Sequence, residues 1–271
     1  LRLHFFFIFV LIVFEIGFSN EKIIGAHAHN DYKNEYPLKT ALDNKFKSIE
    51  VDVFLLKDRL YVGHSWFELR RIKTIEKMYL DPLWKIFNSN SNSIYTDNSL
   101  YLLVDVKTNA LKTYKVLENI LTNYKPMLTY VAEDSVFEGA VTIVLSGNRP
   151  PIDYFDDYIY RNVFIDGRLH NIGEGISYKI MPLISSNWVD SFEWRGDGNF
   201  AKDQMSFLQN LIRNVHLEKK HIRFWGSPDN ENAWSVLLAA NIDLINTDKI
   251  EQCKNFIIKN NSKKGTINGK D

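Results

Sequence analysis

"SIEVDVFLL", residues 48–56, is the stretch on which the fold turns. Ile49, Val51 and Val53 alternate with Ser48, Glu50 and Asp52, the two-residue period of a β-strand. Glu50 and Asp52 therefore leave one face and the branched apolar residues the other. "LYVGH" (60–64) follows after "KDR" and pairs naturally with this strand. An exposed edge strand also carries such acids, but apolar residues on both sides of the pair favour burial.

Outward from this strand the same alternation recurs. "KIIGAH" precedes it, and "LYLLVDVKT" (100–108), "AVTIVLSGN" (140–148), "NVFIDGRL" (162–169), "KIMPLISSNW" (179–188), "HIRFWGSP" (221–228) and "IDLINTD" (242–248) follow. Helical patterns separate several of them: 36–46, 74–87, 110–124, 202–219 and 230–242. About eight strands in βα alternation make an α/β chain of the (β/α)8 TIM-barrel type. Nearly every strand ends in a polar group: His27, Asp52, Asp105 with Lys107, Ser146 with Arg149, Asp166 with Arg168, Trp225, Asp248. In such barrels the C-terminal strand ends form the active-site face.

The composition narrows the function classes. Of 271 residues, 45% are hydrophobic and 24% charged, an ordinary globular balance. The formal net charge is zero, so a nucleic-acid partner is not expected. Cys253 is the one cysteine, which excludes an intramolecular disulfide and any cysteine-rich metal site. Residues 5–14, "FFFIFVLIVF", are apolar without a break, with Arg2 before them and Gly17 and Ser19 after. That pattern reads as a signal peptide over residues 1–19, too short to span a bilayer, and implies an exported protein, periplasmic or secreted. Residues 20–260 then form one barrel domain and 261–271 a polar, frayed tail.

Glu50 and Asp52 share a face, and Asp105 near the end of a neighbouring strand supplies a third oxygen. Clustered carboxylates repel and lose solvation, so they call for a cation. An all-oxygen set without cysteine favours one hard divalent ion, Mg²⁺ first and Ca²⁺ second. His27 and His64 each follow a small residue at the end of a β-run and suit acid/base work near neutral pH. Lys107, two residues beyond Asp105 and on the same face, suits an anionic substrate such as a phosphate.

"GAHAHNDY" (25–32), "SIEVDVFL", "YVGH" and "LLVDVKT" together resemble the phospholipase-C-like phosphodiesterase superfamily, which includes glycerophosphodiester phosphodiesterases and sphingomyelinases D. "SGNRP" (146–150), "DGR" (166–168), "RFWGSPDN" (223–230) and "INTD" (245–248) look like the branch named for altered inheritance of mitochondria protein 6. The resemblance implies a barrel with one divalent metal on Glu50, Asp52 and Asp105, and His27 and His64 as the acid/base pair. It implies Lys107 at the substrate phosphate and Trp225 near the mouth. His27-x-x-Asn30 is similar to the first sphingomyelinase D motif, which gives Asn30 an orienting role. His29 falls beside the substrate, its role open. Arg149 and Arg168 are candidates for an anionic headgroup, or for surface ion pairs. Ala28 stands where glycerophosphodiesterases carry arginine, so the resemblance gives the reaction class rather than the substrate.

The expected activity is therefore metal-dependent cleavage of a small-molecule or lipid phosphodiester, by hydrolysis or through a cyclic phosphate, with transient contact to a membrane surface. Two alternatives stay open. His27-Ala28-His29 also begins multinuclear metallohydrolase patterns of the amidohydrolase and histidinol-phosphatase kind, with His64, His170 and Asp248 as further ligands. A non-catalytic lipid- or sugar-binding barrel would use Trp188, Trp194, Trp225 and Trp234 at its mouth.

Overall fold

The computed structural model describes residues 23–95, 99–155 and 160–267; the expected signal peptide lies outside them. The barrel strands are β1 (Ile24–Ala28), β2 (Phe46–Leu56), β3 (Leu100–Val106), β4 (Val141–Gly147), β5 (Val163–Gly167), β6 (Leu183–Asn187), β7 (His221–Trp225) and β8 (Ile245–Thr247). Each expected strand is present. They run parallel in the order β7-β6-β5-β4-β3-β2-β1-β8. A single bridge, Arg223 to Leu244, spans the remaining seam between β7 and β8, so the barrel is nearly closed.

Both faces of each strand are covered, as parallel sheets require. The outward residues of β2, Ile49, Val51 and Val53, are wholly buried in the main core. Inside, Leu103, Val144, Phe164, Leu183 and Leu244 form a separate apolar layer. Val131 joins that layer from a small antiparallel sheet of Tyr130–Ala132, Ser135–Phe137 and Tyr160–Arg161, which the sequence reading did not anticipate. Leu128 bridges Val141, the first residue of β4, so this sheet plugs the N-terminal end of the barrel. Polar side chains above the apolar layer face the other end.

Register sets their height. Asp52 lies opposite Asp105, and Asp105 opposite Ser146. The hairpin partner of β2, Arg59–Val62, pairs Val62 with Val53 and returns the chain to the mouth, where the Gly63 N–H donates to the Asp52 carbonyl. That return delivers His64.

Several elements differ from their expected bounds. The helix expected over 74–87 is a wide turn, Glu76–Leu80, running into a helix at Asp81–Ser89, because Pro82 has no N–H to continue a ladder and suits a helix start. β6 starts at Leu183, just after Pro182, rather than at 179. The last helix, Ile250–Ile267, runs through most of the stretch expected to be a frayed tail.

Candidate active site

One oxygen each from Glu50, Asp52 and Asp105 lie within 4.8 Å of one another at the C-terminal mouth. Lys107 Nζ stands 2.9 Å from Asp105 Oδ2 and 3.1 Å from Asp52 Oδ2. Burial, then the neighbouring Glu50 and Asp52 charges, raise Asp105 above the usual carboxylate range despite Lys107. Asp52 is fully buried and its Oδ1 has no hydrogen-bond partner. An orphaned buried polar atom costs about 1–3 kcal/mol, more for a charged group. A cation on that oxygen removes the cost, and the all-carboxylate donor set fits a hard divalent ion. Among the described residues no other group of three or more His, Cys, Asp or Glu is close enough to hold an ion. The histidine-rich multinuclear arrangement is therefore not assembled, and His170 is exposed.

His27 is not at the mouth. It is fully buried, with Nδ1 2.7 Å from Ser48 Oγ and Nε2 2.8 Å from Glu50 Oε2. Arg223 Nη1 also contacts Nε2, and lies 2.8 Å from Glu50 Oε2. Burial, then the Arg223 charge, push His27 down to about 4. The ring is thus neutral at pH 7, and in either tautomer both nitrogens face protein. Burial opposes the ionisation of Glu50, yet Arg223 and then His27 outweigh it and hold the carboxyl well below its ordinary value.

His29, two residues later and on the same face, reaches the mouth. Its Nδ1 lies 2.9 Å from Asp248 Oδ1, and its side chain is 30% exposed. Burial works against its charge, but the Asp248 hydrogen bond and the Glu50 field raise it above the ordinary histidine value. His64 is arranged alike: Nδ1 lies 3.1 Å from Asp52 Oδ2, and the side chain is 54% exposed. Asn30 and Tyr32 stand between the two rings. Asn30 Nδ2 is 3.1 Å from His29 Nε2, and the Tyr32 hydroxyl, 2.8 Å from both Asn30 Oδ1 and Asp52 Oδ2, can give its one proton to either.

Across the mouth, Arg168 donates to Asp166 Oδ2 at 2.9 Å and lies over the Trp225 ring, 5.1 Å from its centroid. The Ser146 hydroxyl donates to the same oxygen at 2.7 Å. Arg149 is half-buried near Arg168, and burial, then that like charge, lower it. It pairs with no carboxylate among the described residues, its contact being the Gly147 carbonyl at 3.5 Å.

The AIM6-like phosphodiesterase domain profile matches residues 18–166, more than half of the chain. The chain belongs to that family. A profile of the glycerophosphoryl diester phosphodiesterase family also matches residues 221–251. The altered inheritance of mitochondria protein 6 homolog of Arthroderma benhamiae is 26% identical over 267 residues, covering 86% of this chain and 83% of that protein. The protein of that name from Eremothecium gossypii is 27% identical over 273 residues, covering 85% and 68%. Two solved structures share the fold. A Ca²⁺-dependent phosphatidylinositol-specific phospholipase C from Streptomyces antibioticus superposes with a TM-score of 0.55 at 10% identity, covering 86% of this chain and 95% of that one. A glycerophosphodiester phosphodiesterase from Parabacteroides distasonis gives 0.52 at 11% identity, covering 87% and 97%.

This AIM6-like barrel contains residues that the sequence reading passed over. Arg223, 3% exposed, is satisfied inside the barrel by Glu50, by Ser185 Oγ at 2.9 Å and by Asn246 Oδ1 at 3.0 Å. Its signal was an arginine on the inward parity of β7, two residues before Trp225. Asp229 precedes Asn230, the N-cap of the helix Glu231–Ala239. It accepts from Trp234 Nε1 and from the Asp248 N–H, both at 3.0 Å, and so places Asp248 beside His29. Trp188 and Trp234 are core residues at 1% and 2% exposure, so these two of the four tryptophans expected at a binding mouth do not line it.

Proposed function

We propose that this AIM6-like protein hydrolyses phosphoric diesters of the glycerophosphodiester or phospholipid type, with one divalent cation, Mg²⁺ or Ca²⁺, held by Glu50, Asp52 and Asp105. The observation that carries the reading is the orphaned Asp52 oxygen within a carboxylate triad flanked by two oriented histidines. Bound there, the cation would stabilise charge on the non-bridging phosphate oxygens.

The chain's own residues supply the rest. Lys107, Arg149 and Arg168 bind the anionic group, the two arginines with the planar fork suited to phosphate. His29 and His64 replace the expected pair of His27 and His64. Asp248 and Asp52 hold their Nδ1 atoms, and the Nε2 atoms are the proton-transfer positions, that of His29 facing the Asn30 amide at 3.1 Å, which substrate would have to displace. One Nε2 takes the proton of the attacking hydroxyl, from water or from the substrate itself. The other gives a proton to the leaving alkoxide. His27 acts below them, fixing Glu50 together with Arg223. Asn30 and Tyr32 hold the space between the two rings.

The test is a screen of glycerophosphodiesters, lysophospholipids and phosphatidylinositol with Mg²⁺, Ca²⁺ or EDTA, followed by phosphorus NMR of the products. Cation-dependent formation of a monoester or cyclic phosphate is expected. Absence of turnover for every diester in the cation-loaded protein would overturn the proposal.

A further inference from the structure

The segment immediately after His64 exposes an unusual set of side chains. Phe67 is 91% exposed, Ile72 72% and Trp66 54%. The exposure belongs to an ordered excursion. The Val62 N–H donates to the Lys73 carbonyl, and Tyr61 bridges Thr74, which closes the base. Glu68 Oε2 accepts from the His64 N–H at 2.7 Å, and Arg70 Nη1 donates to the carbonyls of Phe67 and Leu69. Trp66 rests edge-on against Phe54, with centroids 4.7 Å apart. The apolar tips are therefore held outward without further ordering cost.

Charge says what covers them. Arg70, Arg71 and Lys73 interleave with these apolar residues and are exposed, in a chain whose formal net charge is zero. The acid among residues 66–73, Glu68, is engaged with the His64 backbone. Lys33 joins Arg70 and Lys73 around a groove of about 430 Å³ that also touches Tyr32 and Gly63. Protruding aromatic and aliphatic tips separated by cations match an interface of acyl chains beneath anionic headgroups. A protein partner would instead favour a contiguous apolar patch with few charges at its centre.

We propose that residues 65–73 dock the catalytic mouth onto an anionic lipid surface, with Trp66, Phe67 and Ile72 entering the headgroup–acyl boundary and Arg70, Arg71, Lys73 and Lys33 meeting the headgroups. The proposal does not depend on hydrolysis, so vesicle binding tests it directly.

The experiment is co-sedimentation of the full protein with phosphatidylcholine vesicles, with and without phosphatidylglycerol, at low and high salt. Wild type is expected to bind the anionic vesicles and to release with salt. The double variant Phe67→Ser, Ile72→Ser should bind them roughly tenfold or more weakly, keep its Tm, and keep its rate on any water-soluble diester turned over. Arg71→Glu with Lys73→Glu should remove the preference for anionic vesicles. Phe207→Ser, another exposed aromatic, on the helix Lys202–Leu217, should change nothing. As a second readout, brominated lipid should quench wild-type tryptophan fluorescence, and Trp66→Phe should lose that quenching. Wild-type protein that stays in the supernatant with anionic vesicles, or a Phe67→Ser, Ile72→Ser variant that binds as wild type does, would overturn the proposal.

Discussion

His29 Nδ1 lies 2.9 Å from Asp248 Oδ1, joining the end of the first barrel strand to the end of the last. A carboxylate on Nδ1 fixes the ring and its tautomer and supports a proton on Nε2. His64 makes a like contact, its Nδ1 3.1 Å from Asp52 Oδ2. In the proposed reaction the two histidines take opposite halves of one proton-transfer cycle.

His29→Ala should lower kcat by roughly 10²–10⁴-fold, the range expected for a general acid or base, with the Tm nearly unchanged because the side chain is part-exposed. Asp248→Asn should cost less, in kcat rather than KM. A kinetic comparison of both variants on the best diester decides this. Rates near wild type for His29→Ala would return the acid/base role to another group.

His27→Ala should behave differently. It removes a buried ring from the Ser48, Glu50 and Arg223 network and leaves each of these partners one contact short. The expected cost is about 2–4 kcal/mol in stability, read by urea unfolding. His27→Gln, which keeps a polar partner, should recover part of it.

The contrast between these two histidines shows where the sequence stopped being informative. Residues two apart on a strand share a face, so the inward parity of Glu50 and Asp52 was readable from Ile49, Val51 and Val53. The same rule put His27 and His29 on one face. Their heights differ by about 6.6 Å, and which layer meets solvent depends on what fills the barrel below. That filling comes from Arg223, 196 residues away from His27, and from the apolar layer of Leu103, Val144 and Leu183. No local pattern encodes it. The strands were legible from the two-residue alternation of their apolar residues, and the carboxylate triad because Glu50 and Asp52 share one parity of their strand and Asp105 lies near the end of the next. The plug around Val131 was not, since its strands are three residues or fewer.

Adding Mg²⁺ or Ca²⁺ to metal-free protein should raise the Tm by several degrees, since an ion bound only in the folded state stabilises it by mass action. Asp52→Asn should abolish that rise and the cation-dependent rate together. Differential scanning calorimetry with and without EDTA measures it. An equal rise in Asp52→Asn would place the ion elsewhere.

At the opposite end of the barrel, Asp243 accepts from His216 Nε2 at 2.8 Å, His221 Nδ1 at 3.2 Å and the Ile222 N–H at 2.9 Å. Burial opposes its charge, but the hydrogen bond and charge of His221, then His216, hold it below the ordinary aspartate value. A depressed folded pKa adds stability above the unfolded value of about 3.9, lost as pH falls through the folded one. Asp243→Asn should therefore cost about 1–3 kcal/mol at pH 7, and the gap to wild type should close below about pH 4. Urea titrations stepped from pH 7 to pH 3 test the sign; a gap that widens on acidification would refute it.

Gly147 offers a test of how the triad is held. It ends β4 with φ +65°, and a Cβ there would come within 2.0 Å of Asp105 Oδ1 and 2.6 Å of the Val106 carbonyl. A side chain meets two separate penalties: the left-handed backbone, about 1 kcal/mol, and displacement of a carboxylate that the site needs. The backbone penalty alone would lower the Tm and leave the cation response intact. Because the nearest atom belongs to Asp105, Gly147→Ala should also weaken the cation-induced rise in Tm. Gly175→Ala provides the control: φ is +73°, but a Cβ there meets nothing within 4 Å. Its loss of stability should come without any change in cation response. If the two alanine variants respond to Mg²⁺ and Ca²⁺ alike, Gly147 serves the turn and not the placement of Asp105.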